Sequence, residues 1–486
     1  MNEKDAVLKR EIMLLVVFIA AAGLFRMFFL GMPLDSHEGS IASSVRVIDS
    51  GGTLYKDVFD PNPPFPAYLY RLGFELSGTS DRALRIFSFG YFAFTFILIY
   101  MAARVVWGRS AAVFSALLYL LLQNNPALGS LNASAQFLGH FPLVLAFLFL
   151  FDTDEEYEKV NYFLAGFFTA VAALCWYGYA AVFPAAVIAA LIFSKKEKAL
   201  KNTLVCFSGF AVMYLLAVLW SVVQGNTEGF GKTFLWTLSH LKHHTWQGYG
   251  AVFAANSVLF LKLSLPAAAG AIYAFFHREK DSRNNAAAVL SFAFLSLFYY
   301  IYILKGVELR YYQSLIPAAA LLGGILLSAV FRLVSDKSRS PLAAGITAVI
   351  IFAACAACSL AVSKPGEYMK KGGYHTSEYS EVRNASALAG FRKAKGDTLL
   401  AWPDMAQAYF YTGMMPHRRH MSAVTYRYFP QESTEILPPV AEGYYDFIML
   451  RGGPAADFIL RIIEGKYTVV SDSGGIMVYK KNTVQE

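Results

Sequence analysis

Charge is what this chain has least of. Asp, Glu, Lys and Arg supply only 16% of its 486 residues, while 56% are hydrophobic and 16% aromatic. A soluble domain carries about 25% charged residues, so most of this chain is not built for water. Cysteine is also scarce. The four cysteines, Cys175, Cys206, Cys355 and Cys358, all lie in apolar runs. That excludes a disulfide framework. Cys355 and Cys358 form a C-x-x-C with no His or acid beside it, and read as small buried hydrophobes. No small-residue cleavage site follows the first apolar run, which therefore reads as a retained helix. A nucleotide fingerprint and a nucleophile elbow are missing too. The formal charge of +8 could suggest nucleic acid. Its Lys and Arg collect in short loops between apolar runs, as they do in membrane proteins, so no nucleic-acid partner is expected.

What is present is a succession of apolar runs of transmembrane type. Spans are expected near 12–31, 84–105, 110–123, 137–151, 160–175, 178–194, 203–222, 253–276, 286–304, 314–332 and 341–363. This is a mostly α, polytopic bundle of about eleven helices. With the N-terminus inside, Lys and Arg gather in the inner loops, a positive-inside pattern. Three long segments then lie outside: Met32–Arg82, Gln224–Gly250 and the C-terminal region. The expected domains are 1–363, transmembrane, and 364–486, a small extracytoplasmic α/β domain. The expected location is a bacterial inner membrane.

Loops on a rigid scaffold carry function. The first outside loop places Asp35, His37 and Glu38 directly after the first span. Ile41, Val45 and Ile48 recur at helical spacing, which predicts a short amphipathic interfacial helix stopped by Gly51-Gly52. Tyr55, Asp57, Asp60 and Pro63-Pro64 follow, then a second such helix near Phe65–Leu76. Asp49 and Asp57 read as solvated loop charges. A carboxylate fixed beside the membrane, as Asp35 is, suits a general base.

In the second long segment, His240, Lys242, His243 and His244 crowd together. Three histidines invite a metal reading, but only Glu228 is near and the spacing is not a standard ligand set. A polar loop touching substrate is the better expectation, with Trp236 and Trp246 as interface anchors or sugar platforms. The C-terminal region shows strand-like runs at Thr398–Ala401, Asp446–Leu450, Tyr467–Ser471 and Met477–Tyr479, separated by helical stretches. Pro416-His417-Arg418-Arg419-His420 is a basic cluster, read as a solvated loop or a contact for anionic lipid or glycan.

These motifs, taken in order, resemble the GT-C superfamily of polytopic glycosyltransferases, in its protein O-mannosyltransferase, aminoarabinose transferase and family-39-like branch. The resemblance rests on Asp35-Ser36-His37-Glu38-Gly39, then Gly51-Gly52-Thr53-Leu54-Tyr55-Lys56-Asp57, then Asp60-Pro61-Asn62-Pro63-Pro64. It continues in Ala83-Leu84-Arg85-Ile86 and in Arg310-Tyr311-Tyr312-Gln313-Ser314-Leu315-Ile316-Pro317. It covers roughly residues 10–363. It departs from the family where adjacent Asp-Glu is usual, since His37-Glu38 stands there. Gln136 occupies the place of a second acid.

The resemblance implies transfer of a sugar from a polyprenyl-phosphate donor to a glycan, lipid or protein acceptor on the outer face, with inversion. Membrane lipid is the other expected partner. Asp35 is the first choice for the base, Glu38 the second and Asp60 the third. Asp60 is an alternative holder of the loop. The donor phosphate falls to Arg310 first, with Arg85, Lys305, Tyr311 and Tyr312 beside it and His240–His244 as a substrate loop. Other outside cations are Lys56, Arg71, Arg82, Lys232 and Lys242. No cofactor is certain from the sequence, and a divalent metal is possible but has no clear ligand set. A transporter and a non-catalytic glycan-binding protein of the same fold are the rival readings. Repeats and mid-membrane charge would favour the first. Arg26 and Lys262 lie near enough to span ends to snorkel.

Overall fold

A computed structural model describes residues 3–151, 156–234, 249–266, 269–270, 282–303, 309–338, 341–363, 376–394, 396–416, 421 and 437–482. The chain is mostly helical and forms two compact units. The first comprises Met1–Leu30, Arg85–Ala217 and His244–Lys370. The second comprises Gly31–Leu84, Val218–His243 and Lys371–Glu486.

The helices run α1 (Glu3–Met27), α2 (Ser36–Asp49), α3 (Phe65–Ser77), α4 (Asp81–Trp107), α5 (Arg109–Gln123), α6 (Ala135–Leu138), α7 (His140–Phe151) and α8 (Glu158–Cys175). They continue as α9 (Phe183–Phe193), α10 (Lys196–Val223), α11 (Tyr249–Leu263), α12 (Ser282–Ile303), α13 (Ile316–Ser338) and α14 (Pro341–Ser363). Among the described residues, the helices Asp81–Trp107, Lys196–Val223 and Arg310–Ser335 are long and apolar enough to cross a membrane. The break expected at Trp176–Tyr179 is present. Trp176 turns extended (ψ 121°) and a 3-10 segment, Tyr177–Val182, leads into α9.

Apolar solvent gives helices little reason to associate, so close packing of small residues must hold the first unit together. Helices α8 and α10 show this reciprocally. A Cβ on Gly166 would sit 1.9 Å from the Cys206 carbonyl oxygen, and one on Gly209 would sit 2.0 Å from that of Phe163. Each glycine receives the other helix's backbone. Helices α5 and α13 do the same at Gly324, where a Cβ would meet Ser115 Oγ at 2.0 Å. The hydroxyls of Ser110 and Ser328 add a bond of 2.5 Å between them. Cys175 and Cys206 are buried free thiols.

In the second unit the C-terminal region adds α15 (Thr376–Arg392), β1 (Leu399–Trp402), α16 (Gln407–Thr412), α17 (Leu437–Ala441), β2 (Phe447–Arg451), α18 (Pro454–Ile463), β3 (Tyr467–Ser473) and β4 (Ile476–Lys481). The sheet order is β1-β2-β4-β3, with β1 parallel to β2 and the other pairs antiparallel. Strands β3 and β4 are joined through Gly474-Gly475, both at positive φ (60° and 81°), the backbone a two-residue hairpin demands. Leu400, Ile448 and Leu450 pack with Ile459 and Ile463 of α18 as its core. This is the small α/β fold expected from the strand-like runs.

Candidate active site

The acids of the second unit come first. Asp35 is the N-cap of α2, in extended conformation (φ −73°, ψ 173°). Its Oδ1 accepts the Glu38 N–H at 2.6 Å, and Glu38 Oε2 accepts the Asp35 N–H at 3.3 Å. The sequence D-x-x-E is thus a capping box. Asp35 is 8% exposed and Glu38 0%. Both carboxylates are therefore fixed in the first turn by backbone donors, where the helix dipole also favours negative charge. The two alternatives for the base are parts of one motif.

The loop after α2 is built just as tightly. Gly51 takes φ 95°, and Gly52 has no room for a side chain, since a Cβ would lie 2.6 Å from Val47 Cγ1. Asp57 closes the turn by accepting the Thr53 N–H at 2.7 Å. Tyr55 adopts φ 68° and is buried, its hydroxyl donating to the Asn62 carbonyl at 2.7 Å. Asn226 donates to the Leu54 carbonyl at 2.7 Å, and Gly229 faces Tyr55 where a Cβ would lie 2.3 Å from its carbonyl oxygen. Asn226 and Gly229 therefore brace the loop after α2.

Asp60 is buried in this loop. Its Oδ1 accepts from both the Asn62 N–H (2.8 Å) and the Asn62 side-chain amide (2.6 Å), an Asx turn. Burial pushes its carboxyl up to about 6, and the bonds from Asn62 offset part of that rise. Asp60 Oδ2 and Ser44 Oγ are both buried without closing a hydrogen bond. Asp49 pairs with Arg71 at 2.9 Å, but both are half exposed, so the pair contributes at most about 1 kcal/mol.

Helix α16 covers α2. A Cβ on Gly39 would lie 2.3 Å from Gln407 Cβ. Ser43 donates to the Ala406 carbonyl at 2.8 Å, and the Leu34 N–H donates to the Tyr411 hydroxyl at 2.7 Å. Arg46 lies 4.9 Å over the Phe410 ring, and burial lowers its pKa. Gln407 is fully buried with neither amide atom hydrogen-bonded. The sequence reading missed this contact, and QAYFYT offers no motif that could have signalled it.

In the first unit Arg310 stands on a 3-10 segment, Leu309–Leu315. Its guanidinium lies 5.8 Å over the Tyr311 ring, and Trp176 stacks on that ring at 6.1 Å. Tyr312 points inward, its hydroxyl shared with Ser257 at 2.8 Å. Gln313 fixes the segment by accepting from Ser134 (2.6 Å) and donating to the Leu128 carbonyl (2.9 Å), while its own carbonyl meets His140 Nε2 at 2.9 Å. Gln136 is buried with both amide atoms unpartnered. Arg85 is buried near Arg26 on a cavity between α1 and α4. Arg26 does not snorkel. It donates to Asn124 Oδ1 at 2.6 Å and to the Gln123 carbonyl at 3.2 Å, at the C-terminus of α5, with Phe92 beneath it at 4.7 Å. Oxygen partners at a helix C-terminus remove its need for water.

His240, Lys242, His243, His244 and Lys305 lie outside the described residues, as do Trp236 and Trp246. Among the described residues no group of three His, Cys, Asp or Glu side chains could hold a metal ion.

A profile of the family described as dolichyl-phosphate-mannose-protein mannosyltransferase matches residues 61–221. The whole chain is similar to the undecaprenyl-phosphate-bound ArnT of Cupriavidus metallidurans, with TM-score 0.65 and 16% identity over 96% of this chain and 97% of that one. It has the fold of the GT-C membrane glycosyltransferases. The apo oligosaccharyltransferase of Archaeoglobus fulgidus gives the same GT-C likeness, with TM-score 0.61 and 14% identity over 90% of this chain and 69% of that one. The complex of that archaeal enzyme, AglB, with an inhibitory peptide and a dolichol-phosphate gives TM-score 0.58 and 13% identity over 97% of this chain and 74% of that one. No curated protein matches the sequence. The GT-C resemblance read from the motifs of the first loop therefore holds for the fold.

Proposed function

We propose that this GT-C protein is an inverting glycosyltransferase of the bacterial inner membrane, with its C-terminal region outside. It moves a sugar from a polyprenyl-phosphate donor to a glycan, lipid or protein acceptor. The observation that carries this reading is the Asp35–Glu38 capping box, which presents two preorganised carboxylates directly after α1. The undecaprenyl phosphate bound by ArnT and the dolichol-phosphate bound by AglB support the donor class.

In the proposed step an acceptor hydroxyl gives its proton to Asp35 while its oxygen attacks the anomeric carbon. The bond from that carbon to the phosphate oxygen breaks on the opposite face, and its electrons leave with the lipid phosphate. Glu38 holds Asp35 in place and is the second choice for the base. Arg310 receives the departing phosphate, since a guanidinium fork meets two oxygens at once. Tyr311 sets its plane by stacking, whereas Tyr312 is committed to Ser257. The Asx turn at Asp60 favours a loop-holding role for that acid.

The test is a lipid comparison between a deletion strain and wild type. The deletion should accumulate a polyprenyl-phosphate sugar and make a glycan lacking one residue, and Asp35→Asn should not restore it. Absence of any accumulated lipid would remove the transferase reading. A non-catalytic binder would tolerate both Asp35→Asn and Glu38→Gln.

A further inference from the structure

Helices α1 and α4 enclose a cavity of about 620 Å³ within the first unit. Its wall is apolar along α1, from Val16 through Ile19 and Gly23 to Met27, and on α4 at Ile86 and Phe89. Arg26, Arg85 and Ser88 also line it, and no carboxylate does. Its lips are open: Val16, Leu24, Met27 and Ile86 are at least half exposed. Gly23 keeps it hollow, because a Cβ there would already touch Phe89 at 3.0 Å.

Depth and charge select an occupant. Val16 to Met27 spans about 16 Å of helix axis, half of a ~30 Å hydrocarbon core. The groove is one leaflet deep. Both arginines stand at one end, Arg26 one residue before the end of α1 and Arg85 four residues into α4, which is headgroup level. Two guanidinium groups on one cavity, with no carboxylate in its lining, favour an anion there. A single-leaflet acyl chain fits this length, and a much longer polyprenyl chain does not.

We infer that the α1/α4 groove is a binding site for an anionic glycerophospholipid, with its phosphate on Arg26 and Arg85 and one acyl chain along α1. This assignment takes Arg85, expected from the sequence beside Arg310 at the donor phosphate, out of the transfer chemistry, and its test reads no activity.

The full chain is reconstituted in phosphatidylcholine nanodiscs with phosphatidylglycerol, extracted, and weighed by native mass spectrometry. One phosphatidylglycerol should remain bound per chain, preferred over phosphatidylcholine by about tenfold, the worth of a charge-assisted bond. Arg26→Gln should abolish the preference. That variant also breaks the bonds to Asn124 and Gln123, so Ala20→Phe provides a second arm: it fills the groove, leaves those bonds, and should lower retention of the lipid. Equal retention of both phospholipids, or unchanged binding in a folded Ala20→Phe, would overturn the inference. So would displacement of phosphatidylglycerol by added undecaprenyl phosphate, which would make the groove a carrier site.

Discussion

Asp35 and Glu38 cap each other: the side chain of each accepts the backbone N–H of the other. Removing charge and removing the cap are therefore separable experiments. Asn is as good an N-cap as Asp, and Gln serves in a capping box as Glu does. Asp35→Asn should leave unfolding unchanged while lowering transfer by ~10²–10⁴, the usual loss for a general base. Asp35→Ala should also destabilise the second unit by about 1 kcal/mol. Thermal unfolding beside a transfer assay reads both. If Asp35→Asn and Glu38→Gln both transfer normally, neither acid is the base.

Asp60 gives a pH signature. Its folded pKa of about 6 lies above the ordinary carboxyl value of 3.8, so between those values the folded state binds more protons than the unfolded one. Stability attributable to Asp60 is then greatest at low pH and falls as pH rises from about 4 to 6. The span is roughly 3 kcal/mol at most. Asn at this position can still accept from Asn62, so Asp60→Asn should flatten that slope and be more stable than wild type at pH 8. Unfolding midpoints of the two proteins across this range supply the difference. If Asp60 only holds the loop, transfer survives the substitution.

Arg310→Lys separates a phosphate fork from a general interfacial cation. Lysine keeps the charge but loses the planar fork and the stacking on Tyr311. Donor binding should weaken about tenfold in Arg310→Lys and more in Arg310→Ala. A titration with polyprenyl-phosphate sugar measures it, and wild-type affinity in both variants would move the phosphate to other cations.

Helix packing in the first unit makes a paired prediction. Gly166→Ala drives a methyl into the Cys206 carbonyl and should destabilise by about 1–3 kcal/mol or more. Gly90, on α4, has nothing within 4 Å of a built Cβ, so Gly90→Ala should be neutral or slightly stabilising. Unfolding in detergent compares them. Similar losses at both sites would mean that close backbone approach is not what holds α8 to α10.

Orientation has its own test. A reporter active only outside the cytoplasm should work when fused after Ser363 and be silent within Ser194–Asn202. Reversed activities would put Asp35 on the wrong side for the proposed acceptor.

The site was legible where its cause is local. Asp35 and Glu38 were read as candidate acids though not as the capping box they form, Gly51-Gly52 ends a helix, and strand-like runs mark the C-terminal strands to within a few residues. These signals depend on neighbours in sequence. Contacts made across long separations left none. Nothing in Arg26 or Asn124 alone says they bond, so Arg26 was expected to reach for water. Gly39 and Gln407 are 368 positions apart in the sequence, and a glycine inside a helix reads as a defect until its partner is seen. The amphipathic face of α2 was correctly read as apolar, but periodicity cannot tell whether lipid or protein covers it.

The missing side chain at Gly39 bears on how relatives of this protein could be recombined. Helix α16 rests on α2 with no gap to absorb a different shape, and Ser43 and Leu34 lock it there. A chimera that exchanges the C-terminal region alone would bring a foreign helix onto a surface fitted to Gln407. The acid-bearing helix and its roof form one inherited part, and a working graft has to carry residues 31–50 together with 399–416.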